Sequence, residues 1–206
     1  MKLKQYKYPL LPGVICIIAQ LVTYYLPMLL NVEPQHWLSS RLDEAIPVVP
    51  VFVFIYVSAL IMWIMFYGFI FAHKALAWRF LTADLLCKVV CIGCFFLYPC
   101  TLTRPEEFSG AGAWALRILY SLDKPTNLLP SMHCYMSWLC IRPMLDNLIP
   151  NVKKSTKAIL VIYALSICLS TLFTKQHVVV DVITGLALAE IMWRLSDKIF
   201  KRGSKL

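Results

Sequence analysis

The chain has too little charge for a soluble domain. Of its 206 residues only 20 are Lys or Arg and 11 are Asp or Glu, 15% together, where soluble domains carry about a quarter. With 60% of residues hydrophobic and a mean hydropathy of +0.70, the apolar excess has to face lipid. A soluble enzyme, a disordered tail and a collagen-like fibre are excluded. The sequence also lacks an internal repeat, a low-complexity tract and a stretch of soluble composition, so residues 1–206 read as one membrane domain. It has no continuous basic patch and no nucleic-acid motif, so the net charge of +9 does not signal a nucleic-acid partner. The basic residues recur in short clusters between apolar runs, the pattern of membrane topology. A cleaved signal peptide is not expected, because the apolar stretch after Lys2, Lys4 and Lys7 is too long and no small-residue cleavage site follows it.

What is there in quantity is apolar run. A crossing helix needs about 20 mainly apolar residues. Tyr8–Val32 and Ala45–Ala72 contain no charged residue and each is long enough. Four shorter windows follow, Val89–Thr103, Pro125–Ile141, Ala158–Thr174 and Gln176–Trp193, the last carrying Asp181 and Glu190. The expectation is an all-α, polytopic bundle of six transmembrane helices. Ionisable groups inside such helices should face one another rather than lipid, and Asp84 with Lys88, Arg142 with Asp146 and Glu190 with Arg194 are spaced to pair in the cytoplasmic half.

Six crossings put both termini on one side. Lys2, Lys4, Lys7, Lys74, Arg79, Lys88, Arg142, Lys153, Lys154, Lys157, Arg194, Lys198, Lys201, Arg202 and Lys205 then share that side, against Arg41, Arg104, Arg117, Lys124 and Lys175. The excess places both termini in the cytoplasm. Two outer segments exceed what a connection requires: Glu33–Ala45, with Trp37, Leu38 and Leu42, and Ala111–Leu122, with Trp114, Leu116, Leu119 and Tyr120 around Arg117. Both read as interfacial anchors in preference to lids.

Of the eight cysteines, Cys16, Cys87, Cys91, Cys94, Cys140 and Cys168 fall in apolar helices and act there as small hydrophobes. Cys87, Cys91 and Cys94 share a helix face but lack a fourth ligand for zinc. Cys100 and Cys134 lie near the outer surface, where an oxidising compartment would allow them to pair.

The chemistry emerges on that outer side. Arg104-Pro105 follows the third window, Pro130-Ser131-Met132-His133 lies in the fourth, and Lys175-Gln176-His177 leads to Asp181 in the sixth. On a helix His177 and Asp181 share a face, so the carboxylate fixes one imidazole nitrogen and leaves the other nucleophilic. His133 can protonate a leaving group, Arg104 and Lys175 add cations, and Ser131 opens a helix whose free N–H groups favour an anion. Lys124 lies on the same face outside these motifs. Two histidines and a carboxylate could also hold a metal, but the flanking cations repel a metal and attract a phosphate. No metal and no cofactor is expected.

These residues resemble the type 2 phosphatidic acid phosphatase superfamily of membrane lipid phosphatases and phosphotransferases. Its motifs run Lys-x6-Arg-Pro, Pro-Ser-x-His and Ser-Arg-x5-His-x3-Asp. Here Arg104-Pro105, Pro130-Ser131-Met132-His133, Ser170 and His177-x3-Asp181 match in order across residues 40–195. Leu97 and Thr171 stand where the family has Lys and Arg. Those departures look like the branch of inositol phosphorylceramide synthase-like proteins, and Lys175 is a candidate replacement cation. The resemblance implies metal-independent phosphoryl transfer: His177 as nucleophile, Asp181 orienting it, His133 as acid and then base, and Arg104, Lys175 and Ser131 holding the phosphate. It implies an integral protein of a bacterial cytoplasmic membrane, its site on the outer face, acting on phosphatidate, phosphatidylglycerophosphate or polyprenyl diphosphate. Transfer to an alcohol, or lipid-phosphate binding without turnover, are the alternatives.

Overall fold

A computed structural model describes residues 10–203; Lys2, Lys4, Lys7 and Lys205 of the charge argument, and the start of the first window at Tyr8, lie outside them. Eight helices are described: α1 (Leu10–Leu29), α2 (Arg41–Ala45), α3 (Val53–Phe71), α4 (Lys74–Leu97), α5 (Ala113–Leu122), α6 (Met132–Leu145), α7 (Lys154–Phe173) and α8 (Val179–Gly203). Two short strands, β1 (His36–Trp37) and β2 (Cys100–Thr101), pair in parallel.

Among the described residues four helices are long and apolar enough to cross a membrane, at Leu11–Leu29, Pro50–Phe71, Leu76–Leu97 and Lys154–Phe173. The third departs most from its charge-free window. It starts at Lys74 rather than Val89, because Lys88 and Asp84 form an ion pair buried among the helices. Lys88 Nζ also donates to the Cys16 carbonyl of α1 at 2.9 Å, and Tyr135 of α6 donates to Asp84 at 3.5 Å. This pair lies about 15 Å along α4, near the middle of the helix. The remaining two windows form α6, which has 14 residues and is about 21 Å long, and the charge-bearing α8. Pro125 and Pro130 keep the preceding segment out of a helix, so α6 begins only at Met132.

The larger of two apolar core clusters joins the long helices. Phe80, Cys87 and Cys91 of α4, Tyr135, Leu139 and Cys140 of α6, and Ala189 and Trp193 of α8 are all buried in it. α6 and α8 approach closely at Gly185, where an added Cβ would lie 2.7 Å from the Ser131 carbonyl oxygen. At the end of the bundle remote from Ser131, charges join the same helices. Arg142 bridges Asp146 at 2.7 Å and Glu190 at 3.2 Å, Arg79 pairs with Asp197 at 3.2 Å, and the Trp193 indole donates to Asp146 at 2.6 Å.

The first outer segment is not an interfacial helix. His36 and Trp37 pair with β2, and α2 is confined to five residues. A Ser40–Asp43 capping box starts α2, and the extended Ile46 before Pro47 ends it. The second segment does form a helix, α5, with Trp114, Ile118 and Leu122 exposed on one side and Leu116 buried on the other. It begins from Gly112 at φ 84°, where a Cβ would meet the Pro50 carbonyl oxygen at 2.9 Å. All eight cysteines are free thiols. The expected Cys100–Cys134 bond is absent: Cys134 is buried against Gly185, and Cys100 donates to the Tyr98 carbonyl at 2.9 Å.

Candidate active site

The turn between α7 and α8 sets the geometry. The Thr171 carbonyl accepts the backbone N–H of both Gln176, at 2.9 Å, and His177, at 3.1 Å, while Lys175 takes the left-handed conformation at φ 47°. His177 thereby arrives beside the first turn of α8. Its Nδ1 lies 3.2 Å from Asp181 Oδ2, which also accepts the Val178 N–H at 3.1 Å. A carboxylate can only accept, so Nδ1 carries the proton and Nε2 is left with its lone pair. Asp181 is fully buried, and its carbonyl accepts the Ser131 N–H at 3.1 Å. One residue thus orients His177 and ties α8 to the start of α6.

That tie brings in His133. Its Nδ1 lies 3.4 Å from the Tyr56 hydroxyl, its ring stacks on Tyr56 at 4.2 Å and leans on Trp63 at 5.1 Å. The two histidine rings are 6.3 Å apart, centre to centre. A phosphoryl group fits between such partners, since attack starts from roughly 3–3.5 Å and a proton donor reaches the leaving oxygen at about 3 Å.

Two cavities meet at His177. The smaller, about 50 Å³, is lined by both histidines with Gln20, Tyr24, Tyr56, Thr126 and Gln176. The larger, about 580 Å³, is lined by the charged residues Arg104, Lys175, Asp43 and Glu44 and by the apolar residues Ile46, Pro47, Val48 and Leu172. Arg104 lines the larger cavity and bonds to Gln176, which lines the smaller. It donates to the Asp123 carbonyl, to Gln176 Oε1 and, at 3.4 Å, to the Lys175 carbonyl, and its guanidinium covers the Tyr120 ring at 4.5 Å. Burial pulls the Arg104 pKa below the ordinary arginine value, with Asp123 and Tyr120 opposing; guanidinium stays protonated. Because Arg104 occupies the Gln176 oxygen, the buried Gln176 Nε2 is left without a protein partner among the described residues. The spacing rules that single out charged and His residues pass over this amide.

Lys175 has a different setting from the one its sequence position suggests. It lines the larger cavity, but Nζ donates to the backbone carbonyls of Asp43, at 2.5 Å, and Ile46, at 2.7 Å. Burial lowers its pKa, against the charges of Asp43 and Glu44. Asp43 completes the attachment by accepting the Val179 N–H at 2.7 Å. Burial alone would raise the Asp43 pKa, but hydrogen bonds from Ser40 and Val179 carry it below the ordinary carboxylate value. The outer segment is therefore strapped onto the turn that carries His177. The Ser-x-x-Asp capping signal was the only trace of this in the sequence.

A family model of the PAP2 superfamily matches residues 23–195. The chain belongs to the PAP2 superfamily. No curated protein and no solved structure matches it significantly. PAP2 membership points to phosphatase or phosphotransferase chemistry on phosphate esters.

The positions where this PAP2 chain departs from the family motifs have clear surroundings. Leu97 is 86% exposed at the end of α4 and lines neither cavity. Thr171 is fully buried, its hydroxyl donating to the Cys168 carbonyl at 2.7 Å while its own carbonyl holds the His177 turn. Ser131 is also fully buried and outside both cavities. Its Oγ caps α6 by accepting the Cys134 N–H at 3.3 Å, which fixes the helix start. The first-turn residues Met132 and His133 do line the small cavity, and backbone N–H groups there have no partner within a helix. Lys124 lies on the rim of that cavity and is not remote from the site. Among the described residues no group of three or more His, Cys, Asp and Glu is arranged to hold a metal ion.

Proposed function

We propose that this PAP2 protein is a membrane phosphatase that hydrolyses a phosphomonoester or diphosphate of a lipid through a phosphohistidine on His177. One observation carries the reading: His177, its Nδ1 held by buried Asp181, shares a small cavity with His133 and with the free amide of Gln176. In the first step Nε2 of His177 attacks phosphorus and the bond to the lipid oxygen breaks. His133 gives that oxygen its proton. In the second step water attacks phosphorus, the N–P bond breaks, and the water's proton returns to His133. Gln176 Nε2, the first-turn N–H groups of α6 and the Arg104 cation face the charge that the equatorial oxygens carry in both steps.

The remaining features support a lipid substrate. The larger cavity is lined both by charged residues, Arg104 and Lys175 with Asp43 and Glu44, and by apolar ones, Ile46, Val48 and Leu172, a mixture that suits a phosphate head group whose chains stay in the bilayer. All six helices of the original windows cross the membrane in this reading, with both termini in the cytoplasm and the site at the outer face, on the basic asymmetry of the loops. The test is release of inorganic phosphate by purified protein in detergent from phosphatidate, phosphatidylglycerophosphate and polyprenyl diphosphate. Release from at least one of them, abolished by His177→Ala, is expected. Release from none, or release that His177→Ala leaves intact, contradicts the reading.

A further inference from the structure

The small cavity holds more unmet polar demand than a phosphoryl group satisfies. Three of the side chains that line it each carry a buried polar atom with no protein partner among the described residues: Gln176 Nε2, Gln20 Oε1 and Thr126 Oγ1. Only the first is an obligate donor suited to a phosphoryl oxygen. Gln20 Oε1 is an obligate acceptor, and a phosphate dianion offers it nothing; it needs an O–H or N–H. The Thr126 hydroxyl can give or take. Leaving such atoms unpaired in a buried site is unfavourable, so the cavity is built for a group that donates at one edge while it accepts at the other.

A hydroxyl does both. We infer that Gln20, on α1, and Thr126, in the segment before α6, form a subsite for the hydroxyl that discharges the phosphohistidine. Gln20 Oε1 accepts a hydrogen bond from the incoming group, and Thr126 Oγ1 donates to its oxygen. The placement rests on the function proposed above and extends it to two residues outside the PAP2 motifs, one of which, Gln20, precedes the residues matched by the family. The step balances as follows. The hydroxyl oxygen forms a bond to phosphorus, the bond from phosphorus to Nε2 of His177 breaks, and the hydroxyl proton passes to His133. His177 departs neutral, its Nδ1 proton kept by Asp181.

The cavity also sets the size of the nucleophile. The cavity is about 50 Å³, against the roughly 10–15 Å³ that is the least space to admit one water, so only a small group fits there beside the phosphate. Water fits, and so does the terminal hydroxyl of a slender primary alcohol such as glycerol. An inositol ring, whose hydroxyls are all on ring carbons, does not. The site thus favours hydrolysis, with transfer confined to small primary alcohols, and disfavours the inositol acceptor that the synthase-like branch would bring.

The test separates formation of the phosphoenzyme from its discharge. Full-length protein in detergent is charged with short-chain phosphatidate labelled in the phosphate, then chased with water alone, glycerol or myo-inositol. Gln20→Met and Thr126→Val are expected to form phosphoenzyme within about twofold of the native rate and to discharge it on the order of tenfold more slowly, the loss of one oriented hydrogen bond. Thr126→Ser, which keeps the hydroxyl, should restore discharge, and glycerol but not myo-inositol should yield a new phosphomonoester, glycerol phosphate. A merely structural role would slow formation and discharge together. Equal slowing of both, unchanged discharge in both variants, or transfer to inositol as efficient as to glycerol would overturn the inference. Absence of any phosphoenzyme in the native protein would instead overturn the function on which it rests.

Discussion

Replacing Asp181 by Asn probes the site with little change of shape. Asp181 is fully buried, and its Oδ2 accepts from both His177 Nδ1, at 3.2 Å, and the Val178 N–H, at 3.1 Å. An asparagine whose oxygen takes the Oδ2 position keeps both bonds, so the first turn of α8 and the Nδ1 proton survive, and its NH2 takes the place of Oδ1, which has no protein partner among the described residues. What is lost is the negative charge beside His177. Attack on phosphorus makes the imidazole cationic, and the carboxylate 3.2 Å from Nδ1 stabilises that charge. A hydrogen bond to a charged group contributes roughly 1.5–3 kcal/mol, about 10–10² in rate. The prediction is a fall of roughly 10–10² in the single-turnover rate of phosphoenzyme formation, with thermal unfolding in detergent shifted by no more than a few degrees. The assay is rapid quench with labelled lipid phosphate, run beside an unfolding scan of the same preparation. A well-folded Asp181→Asn protein that forms phosphoenzyme at the native rate refutes the electrostatic argument.

Gly185→Ala places a Cβ 2.7 Å from the Ser131 carbonyl oxygen and 3.1 Å from Cys134 Cβ; it should destabilise the α6–α8 contact by about 1–3 kcal/mol and lower activity with it. Gly68→Ala, with nothing within 4 Å, should leave the unfolding midpoint unchanged. Lys175→Gln removes the ammonium that holds the Asp43 and Ile46 carbonyls beside the larger cavity, and kcat/KM should fall on the order of a hundredfold. Arg117→Gln, whose guanidinium contacts the Phe108 carbonyl and ring, should cost less than about threefold; equal effects would remove Lys175 from the site. Turnover should survive excess EDTA and be inhibited by vanadate, whereas loss in chelator with recovery on adding zinc or magnesium would assign the chemistry to a metal. A thiol-reactive probe should label a cysteine at position 124 from outside and one at position 154 from inside in a cysteine-free background, and the reverse pattern would invert the topology.

The sequence made the helical bundle and the His177–Asp181 pair legible because both depend on local spacing. Four residues on a helix determine where a carboxylate can meet an imidazole, whatever the rest of the chain does. The start of α4 was not legible, because its lysine and aspartate neutralise each other across one turn and are covered by α1 and α6, and a charge-free window cannot see partners that distant. The surroundings of Ser131 were not legible for a similar reason. A Ser before a helix predicts a cap, but that the cap is buried beneath Gly185 and beside the Asp181 carbonyl is a matter of helix packing. Lys175 was found at the right place with the wrong partners, since nothing local shows that the carbonyls of residues 43 and 46 lie over it. Gln20, Thr126 and Gln176 escaped notice because uncharged polar side chains have no signature until a cavity collects them.

The central claim is a covalent phosphate on His177, and it can be read directly. Protein incubated with labelled lipid phosphate is quenched in alkali, where phosphohistidine persists, then digested and mapped by mass spectrometry. The expected result is an acid-labile phosphate on the peptide containing His177, present in His133→Ala when a substrate with a good leaving group is supplied and absent in His177→Ala. Phosphate on His133 instead, or turnover of lipid phosphate with no phosphate on either histidine, would contradict it.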